Sequence, residues 1–262
     1  MDLGLKGKIA LVSGASQGLG LAAAKALGRE GAILAICSRD ESRLDKAVST
    51  LQKENIQTFS IKADVSIPDQ ALAFVEESAD KLGGVDILIN NAGGPPAFGF
   101  EDISQEMWEH GFRLNLLSAI TMIKASLPFM KKKKWGRIIN MTSIAVKQPL
   151  DGLILSNTIR SGVIGLAKTL SRDLAQFNIT VNNICPGYFL TNRVSSLAST
   201  IAKEKQVTPE DIISGWENEI PLRRLGDPEE FGHLIAFLAS GKASYITGAS
   251  IQIDGGFYRG IF

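Results

Sequence analysis

Ser13-Gly14-Ala15-Ser16-Gln17-Gly18-Leu19-Gly20 follows the apolar run Ile9-Ala10-Leu11-Val12 and precedes an alanine-rich amphipathic stretch. A short apolar strand, a glycine-rich turn and a helix, in that order, make the first half of a βαβ unit. Glycines at 14, 18 and 20 let the main chain turn tightly, approach a diphosphate and pack the helix against the strand. The helix start then aims free N–H groups at anionic oxygens. The turn therefore points to Gly14, Ser16, Gln17, Gly18, Leu19 and Gly20 as the grip on a dinucleotide.

Outward from this turn, short apolar runs alternate with longer amphipathic stretches. Strands are expected at 8–13, 32–37, 57–62, 86–90, 137–141, 180–184 and 250–253, and helices at 18–30, 41–54, 68–82, 105–132, 155–177 and 229–239. The strand cores, such as Ile87-Leu88-Ile89 and Ile138-Ile139, are almost continuously apolar, as strands covered on both faces must be. The pattern predicts an α/β chain: one Rossmann domain over residues 1–262, a doubly wound parallel sheet of about seven strands with helices on both faces. Gly31 and Gly241 fall where helices should stop. From 187 to 227 the alternation lapses into a polar stretch holding Thr191, Pro209, Trp216 and Pro221. So long an interruption predicts a substrate lid or helical excursion.

Composition narrows the field. A net charge of +1 gives no broad electrostatic attraction to nucleic acid or an anionic membrane. The run Lys131–Lys134 ends an expected helix, where cations complement the negative end of the helix dipole. Neither a signal peptide nor a bilayer-length apolar run is present. Cys37 and Cys185 lie inside apolar runs, which fits buried thiols in a reducing, cytoplasmic compartment. Isolated cysteines and the absence of His/Asp/Glu clusters at ligand spacing give no metal site.

The G-x-x-x-G-x-G spacing resembles that of the short-chain dehydrogenase/reductase family, and the resemblance runs from about Leu5 to Gly256. It is carried further by Asp64-Val65, Asn90-Asn91-Ala92-Gly93, Asn115, Ser143, Pro186-Gly187, Ile246-Thr247-Gly248 and Ile253-Asp254-Gly255-Gly256. It implies that Asp64 and Val65 flank the adenine, that Asn91, Ala92 and Gly93 line its ribose, that Pro186 and Gly187 border the nicotinamide and that Thr191 meets the carboxamide. In similar proteins the helix after Leu155 and its predecessor form a dimer bundle and the last strand supports a tetramer, so a homodimer or homotetramer is expected.

The second strand ends Cys37-Ser38-Arg39, with Arg39 nineteen positions after Gly20 (39 − 20). An acid there would hold the ribose 2′-hydroxyl of NAD, whereas an Arg suits the 2′-phosphate of NADP, with Ser38 adding a hydrogen bond. NADP(H) is therefore the preferred cofactor. Asp40, one residue on, keeps NAD(H) open.

The family's catalytic pattern is a Ser, a Tyr thirteen residues later and a Lys four beyond, with an Asn that orders a water relay. Here Ser143 and Asn115 are present, but Ser156 stands where the Tyr should be and Arg160 where the Lys should be. Arg160 keeps a charge that can donate to the nicotinamide ribose yet cannot pass a proton on. Ser156 is a far poorer acid than a phenol. Tyr188, after Pro186-Gly187, is the first candidate for a displaced general acid; Lys147 and Asp151 are loop residues that could also approach the substrate. The resemblance implies an oxidoreductase of the carbonyl reductase or alcohol dehydrogenase type, acting on a small carbonyl or alcohol, with Asn115, Ser143, Ser156, Arg160 and Tyr188 as catalytic candidates. The missing Tyr–Lys pair supports a second outcome, a dinucleotide-binding sensor or inactive paralogue subunit.

Overall fold

The computed structural model describes residues 1–95 and 97–261. Seven parallel strands form one sheet: β1 (Ile9–Val12), β2 (Ile33–Ser38), β3 (Thr58–Lys62), β4 (Ile87–Asn90), β5 (Gly136–Met141), β6 (Ile179–Pro186) and β7 (Ser250–Ile253). Their order is β3-β2-β1-β4-β5-β6-β7. β1 pairs with β2 on one side and β4 on the other, so the order reverses between β1 and β4. In an open parallel sheet, ligands bind in the crevice beyond the strand ends at such a switch point. The glycine-rich turn and the Asn91–Gly93 loop both begin there.

The crossover helices make the two outer layers. On one face α1 (Gly18–Arg29), α2 (Glu41–Lys53) and α9 (Pro228–Ala239) pack through Ala23, Leu27, Leu44, Leu51, Phe231 and Ile235 onto the sheet. On the other, α3 (Pro68–Leu82), α5 (Ser118–Lys133) and α6 (Ile154–Asp173) supply Phe74, Val75, Met122, Ile123, Val163 and Ala167. β1 and β4 are buried along their whole length, which is why their sequences are apolar without alternation.

Two expectations need correction. The helix expected over 105–132 is α4 (Gln105–Phe112), a π-type segment Arg113–Leu117 and then α5. Gly31 does take the left-handed φ of +86° that a helix stop favours; Gly241 does follow the end of α9, but without a left-handed φ, and Ser240 Oγ donates to Phe237 O there at 2.6 Å. The stretch 187–227 contains two helices, α7 (Asn192–Lys205) and α8 (Pro209–Glu219). Its base is pinned, because Phe189 bridges Gly226 and Leu190 N donates to Gly226 O at 2.9 Å. The lysines at 131–133 close α5; Lys133 pairs with buried Asp86 at 2.7 Å and Lys131 lies over the Phe177 ring.

Candidate active site

The glycine turn is built as a cradle. Gly14 and Gly18 have φ near +58° and +56°, where a side chain would be strained. A Cβ on Gly20 would collide with the Gly14 carbonyl oxygen, so position 20 must be glycine for α1 to approach the strand. Asn91 fastens the turn from the β4 side: its Nδ2 donates to Gly14 O at 2.9 Å and its N–H to Ser13 Oγ at 2.9 Å. Ser13 Oγ in turn donates to Asn91 O at 2.7 Å. Asn91 thus holds the loop Asn91–Gly93 against the turn, and the main-chain N–H groups that open α1 have no capping side chain. Such a backbone nest fits the diphosphate of a dinucleotide.

At the end of β2, Ser38 Oγ donates to Ser16 Oγ at 3.0 Å, which brings two hydroxyls together beside the turn. Arg39 follows, exposed and without an ion-pair partner among the described residues. Asp40 is otherwise engaged. It caps α2 by accepting from Arg43 N at 3.0 Å and pairs with Arg43 Nε at 3.2 Å. Asp64 follows β3 and accepts from Ser66 N and Oγ, at 2.9 and 2.7 Å, while neighbouring Val65 is buried. Thr191 caps α7, and its methyl lies 3.6 Å from where a Cβ on Gly18 would be, so α7 starts against the diphosphate turn. Gly187 N donates to Ile253 O at 3.0 Å, which ties the loop after Pro186 to β7.

The second half of the site lies beyond β5. Ser143, half-buried, follows β5 and its Oγ accepts from Ala145 N at 3.1 Å. Ser156 and Arg160 are buried on α6, one turn apart, at 6% and 7% exposure. Asn115 sits in the π-type segment, where its Nδ2 donates to Gly111 O at 3.4 Å. Asn115, Arg160, Asn90 and Asn140 share the lining of a cavity of about 10 Å³, roughly one water in size.

A family model described as enoyl-(acyl carrier protein) reductase matches residues 14–258. Dehydrogenase/reductase SDR family member 4 of Oryctolagus cuniculus is 35% identical over 253 residues, covering 96% of this chain and 94% of its own. The L-sorbose reductase of Gluconobacter frateurii, solved with NADPH and L-sorbose, superposes at a TM-score of 0.95 with 30% identity over the full length of both chains. YwfH, an NADPH-dependent reductase involved in bacilysin biosynthesis, superposes at 0.92 with 31% identity over 98% of this chain and 100% of its own. The chain belongs to the short-chain dehydrogenase/reductase family.

In this short-chain dehydrogenase/reductase, two of the expected site residues have contacts that the sequence did not show. Arg160 directs its donors at the main chain: Nη1 to Met141 O at 2.8 Å and Thr142 O at 3.0 Å, and Nη2 to Ala92 O at 3.4 Å. Burial first, then Arg193, lowers its pKa to about 10, so it stays charged at neutral pH. Its role here is a brace between β5 and the loop after β4, with three donors already engaged. Tyr188, expected as a displaced proton donor, stacks on Trp216 at 4.5 Å and meets Phe257 edge-on at 5.6 Å. Burial first, then Glu219, pushes its phenol up to about 12. In this packing the phenol is a weaker acid than a free one, and Tyr188 lies against a cluster of Ile144, Ile220 and Phe257 that Tyr258 also joins.

The sequence reading missed two groups. One is a polar seam through the sheet. Asn90 Nδ2 donates to Asn140 Oδ1 at 2.8 Å, Asn140 Nδ2 to Asn183 Oδ1 at 3.0 Å, and Asn183 Nδ2 to Ser250 Oγ at 3.1 Å. Amides embedded in apolar strands were the available signal. The other is Arg193, in the first turn of α7, whose Nη2 donates to Pro95 O at 2.8 Å. A cation at a helix start with no acid beside it was the signal there.

Proposed function

We propose that this protein is an NADP(H)-dependent oxidoreductase that interconverts a small-molecule carbonyl and its alcohol, with a proton route other than the family's Tyr–Lys pair. The observation that carries this is the end of β2. Arg39 directly follows Ser38 of the Ser38–Ser16 hydroxyl pair and has no ion-pair partner among the described residues, while Asp40, the residue that could favour NAD(H), is occupied as a helix cap. A guanidinium with two hydroxyls suits a 2′-phosphate better than a bare ribose. The sorbose reductase binds NADPH in its crystal structure and YwfH is NADPH-dependent, which agrees with this.

In this reading Gly14, Ser16, Gln17, Gly18, Leu19 and Gly20 hold the diphosphate, and Ser38 and Arg39 the 2′-phosphate. Asp64 and Val65 border the adenine, Asn91, Ala92 and Gly93 its ribose, and Pro186, Gly187 and Thr191 the nicotinamide. The nicotinamide supplies the hydride. Ser143 and Ser156 offer hydroxyls to the carbonyl oxygen, and the proton comes from solvent, with Asn115 beside the water-sized cavity. Arg160 shapes the floor by bracing Ala92 and Thr142, and the excursion 187–227 covers the substrate as a lid on one continuous domain. The test is NADPH oxidation over a panel of β-keto esters, quinones, ketosteroids and ketoses. Consumption of cofactor with one class supports the reading; bound NADPH with no oxidation across the panel refutes turnover.

A second reading has its own observation: Arg160 spends its donors on the main chain and Tyr188 is stacked on Trp216. A dinucleotide sensor or inactive paralogue subunit would bind NADPH stoichiometrically and change its affinity for another protein without turnover. In either case a second copy of the chain is the expected partner. Trp108, Phe112, Leu116, Ile159 and Gly162 line an apolar groove of about 620 Å³ between α4 and α6, and Phe112 is 45% exposed. Sedimentation should give a dimer or tetramer that Phe112→Asp breaks. The two buried free cysteines suit a reducing, cytoplasmic setting, and among the described residues no helix is long and apolar enough to cross a membrane.

A further inference from the structure

Two guanidinium groups bracket the loop that follows β4. Arg160, from α6 below, donates to Ala92 O at 3.4 Å and to Thr142 O, the residue before Ser143, at 3.0 Å. Arg193, from the excursion above, donates to Pro95 O at 2.8 Å. A Cβ on Gly94 would come within 3.3 Å of Arg193 Nη2, so glycine at 94 gives that guanidinium its place. One short loop thus connects the lid to the neighbourhood of Ser143.

Neither guanidinium has a carboxylate partner among the described residues, and Lys147, over the Tyr258 ring at 5.5 Å, has none either. Asp254 accepts from Gly256 N at 3.0 Å and Tyr258 N at 2.8 Å, and Glu219 lies toward Tyr188. Arg193 also stands in the first turn of α7, which contains no acidic residue. A cation there is repelled by the positive end of the helix dipole, and a neutral carbonyl offsets little of that. A carboxylate would offset both, with two parallel charge-assisted bonds to the fork of the guanidinium.

We propose that Arg193 determines specificity for an acidic substrate, exchanging Pro95 O for the carboxylate of a small oxo acid whose ketone lies at Ser143. This rests on the carbonyl-reductase reading above. Arg160 is close enough to feel the charge of Arg193, so the two cations raise the positive potential around this loop. Arg193 is exposed along the helix, so replacing it leaves the core intact.

The experiment is calorimetric titration of the full-length protein, loaded with NADP⁺, with pyruvate, acetoacetate and levulinate, each against its methyl ester. The best acid is expected to bind at least tenfold tighter than its ester. Arg193→Gln should erase that ratio, Arg193→Lys should restore part of it, and NADPH affinity should move less than twofold in both. Equal binding of acid and ester for all three pairs overturns the proposal. So does a weakened NADPH affinity in Arg193→Gln with the acid preference retained, which would assign the guanidinium to the cofactor diphosphate. Binding, not turnover, is read, so the inference survives or fails separately from catalysis. Should the wild type take up no NADPH, the reductase reading falls; the same titrations on the unloaded protein still decide the role of Arg193 by whether an acid preference exists and whether Arg193→Gln abolishes it.

Discussion

The turn between β1 and α1 and the helix α6 solve opposite problems. The turn makes its site from main chain: two glycines with positive φ, a third pressed against a carbonyl, and Asn91 as a clamp. α6 makes its contribution from side chains, Ser156 and Arg160. A backbone site tolerates few substitutions at its glycines, because a Cβ collides at Gly14 and Gly20 and the positive φ at Gly18 strains a side chain. A side-chain site keeps its fold when its chemistry changes. The comparison separates a half whose geometry the main chain dictates from a half whose chemistry the side chains carry.

The largest test of that contrast is to place a tyrosine–lysine pair on α6. Ser156→Tyr with Arg160→Lys should raise NADPH-dependent reduction about 100-fold, the range general acid catalysis supplies. An unchanged rate in a folded double variant would move the difference to the shape of the cleft. Next, Gly20→Val drives a side chain into Gly14 O and Asn91, and NADPH affinity measured by calorimetry should fall at least about 100-fold, as expected where a diphosphate's backbone cradle is lost. Retained binding would refute the backbone-made site. Arg39→Ala is milder: loss of one charge-assisted contact of about 2 kcal/mol should weaken NADPH about 30-fold and leave NADH unchanged.

The seam of asparagines joins the two halves through the sheet. Asn140→Ala leaves Asn90 Nδ2 and Asn183 Oδ1 without their partners and should cost about 2 kcal/mol, or roughly 4–8 °C in Tm for a chain of this size. A Tm within 1 °C of wild type, about the precision of a thermal melt, would mean the amides re-pair. The smallest effect is acid titration. Side-chain hydrogen bonds from Arg29 and then Lys25 lower the Glu54 pKa to about 2, and one from Arg224 lowers Glu230 to about 2, both from 4.5. A depressed carboxylate stabilises the fold above its unfolded pKa and loses that contribution as pH falls through the folded value. Glu54→Gln and Glu230→Gln should therefore lower Tm slightly at pH 7 and not at pH 2, the difference closing between about 4.5 and 2. These pairs are partly exposed, so each shift is small.

What the sequence made legible follows the same division. The seven strands and the glycine turn could be read because apolar runs and Gly14, Gly18 and Gly20 report directly on burial and backbone geometry. The π-type segment at Arg113–Leu117 was hidden, since a change of hydrogen-bond register inside a helix leaves no compositional mark. The starts of α8 and α9 did carry marks, Thr208-Pro209 with Asp211 and Asp227-Pro228 with Glu230, and both form reciprocal capping boxes. The partners of Arg160 and Tyr188 could not be read at all. Motif position located their Cα atoms, whereas burial and local packing decided where the guanidinium donates and how acidic the phenol is.

The closed base of the excursion has a consequence for how such a protein changes over time. Because the chain leaves at Phe189 and returns beside it at Gly226, everything between is an appendage whose ends are already neighbours. Its length and content can vary at little entropic cost to the sheet, since loop closure depends only weakly on length. A foreign cover grafted onto those two stubs, with Thr191 and its contact to Gly18 kept, would change the substrate side while the glycine turn beneath stays as it is.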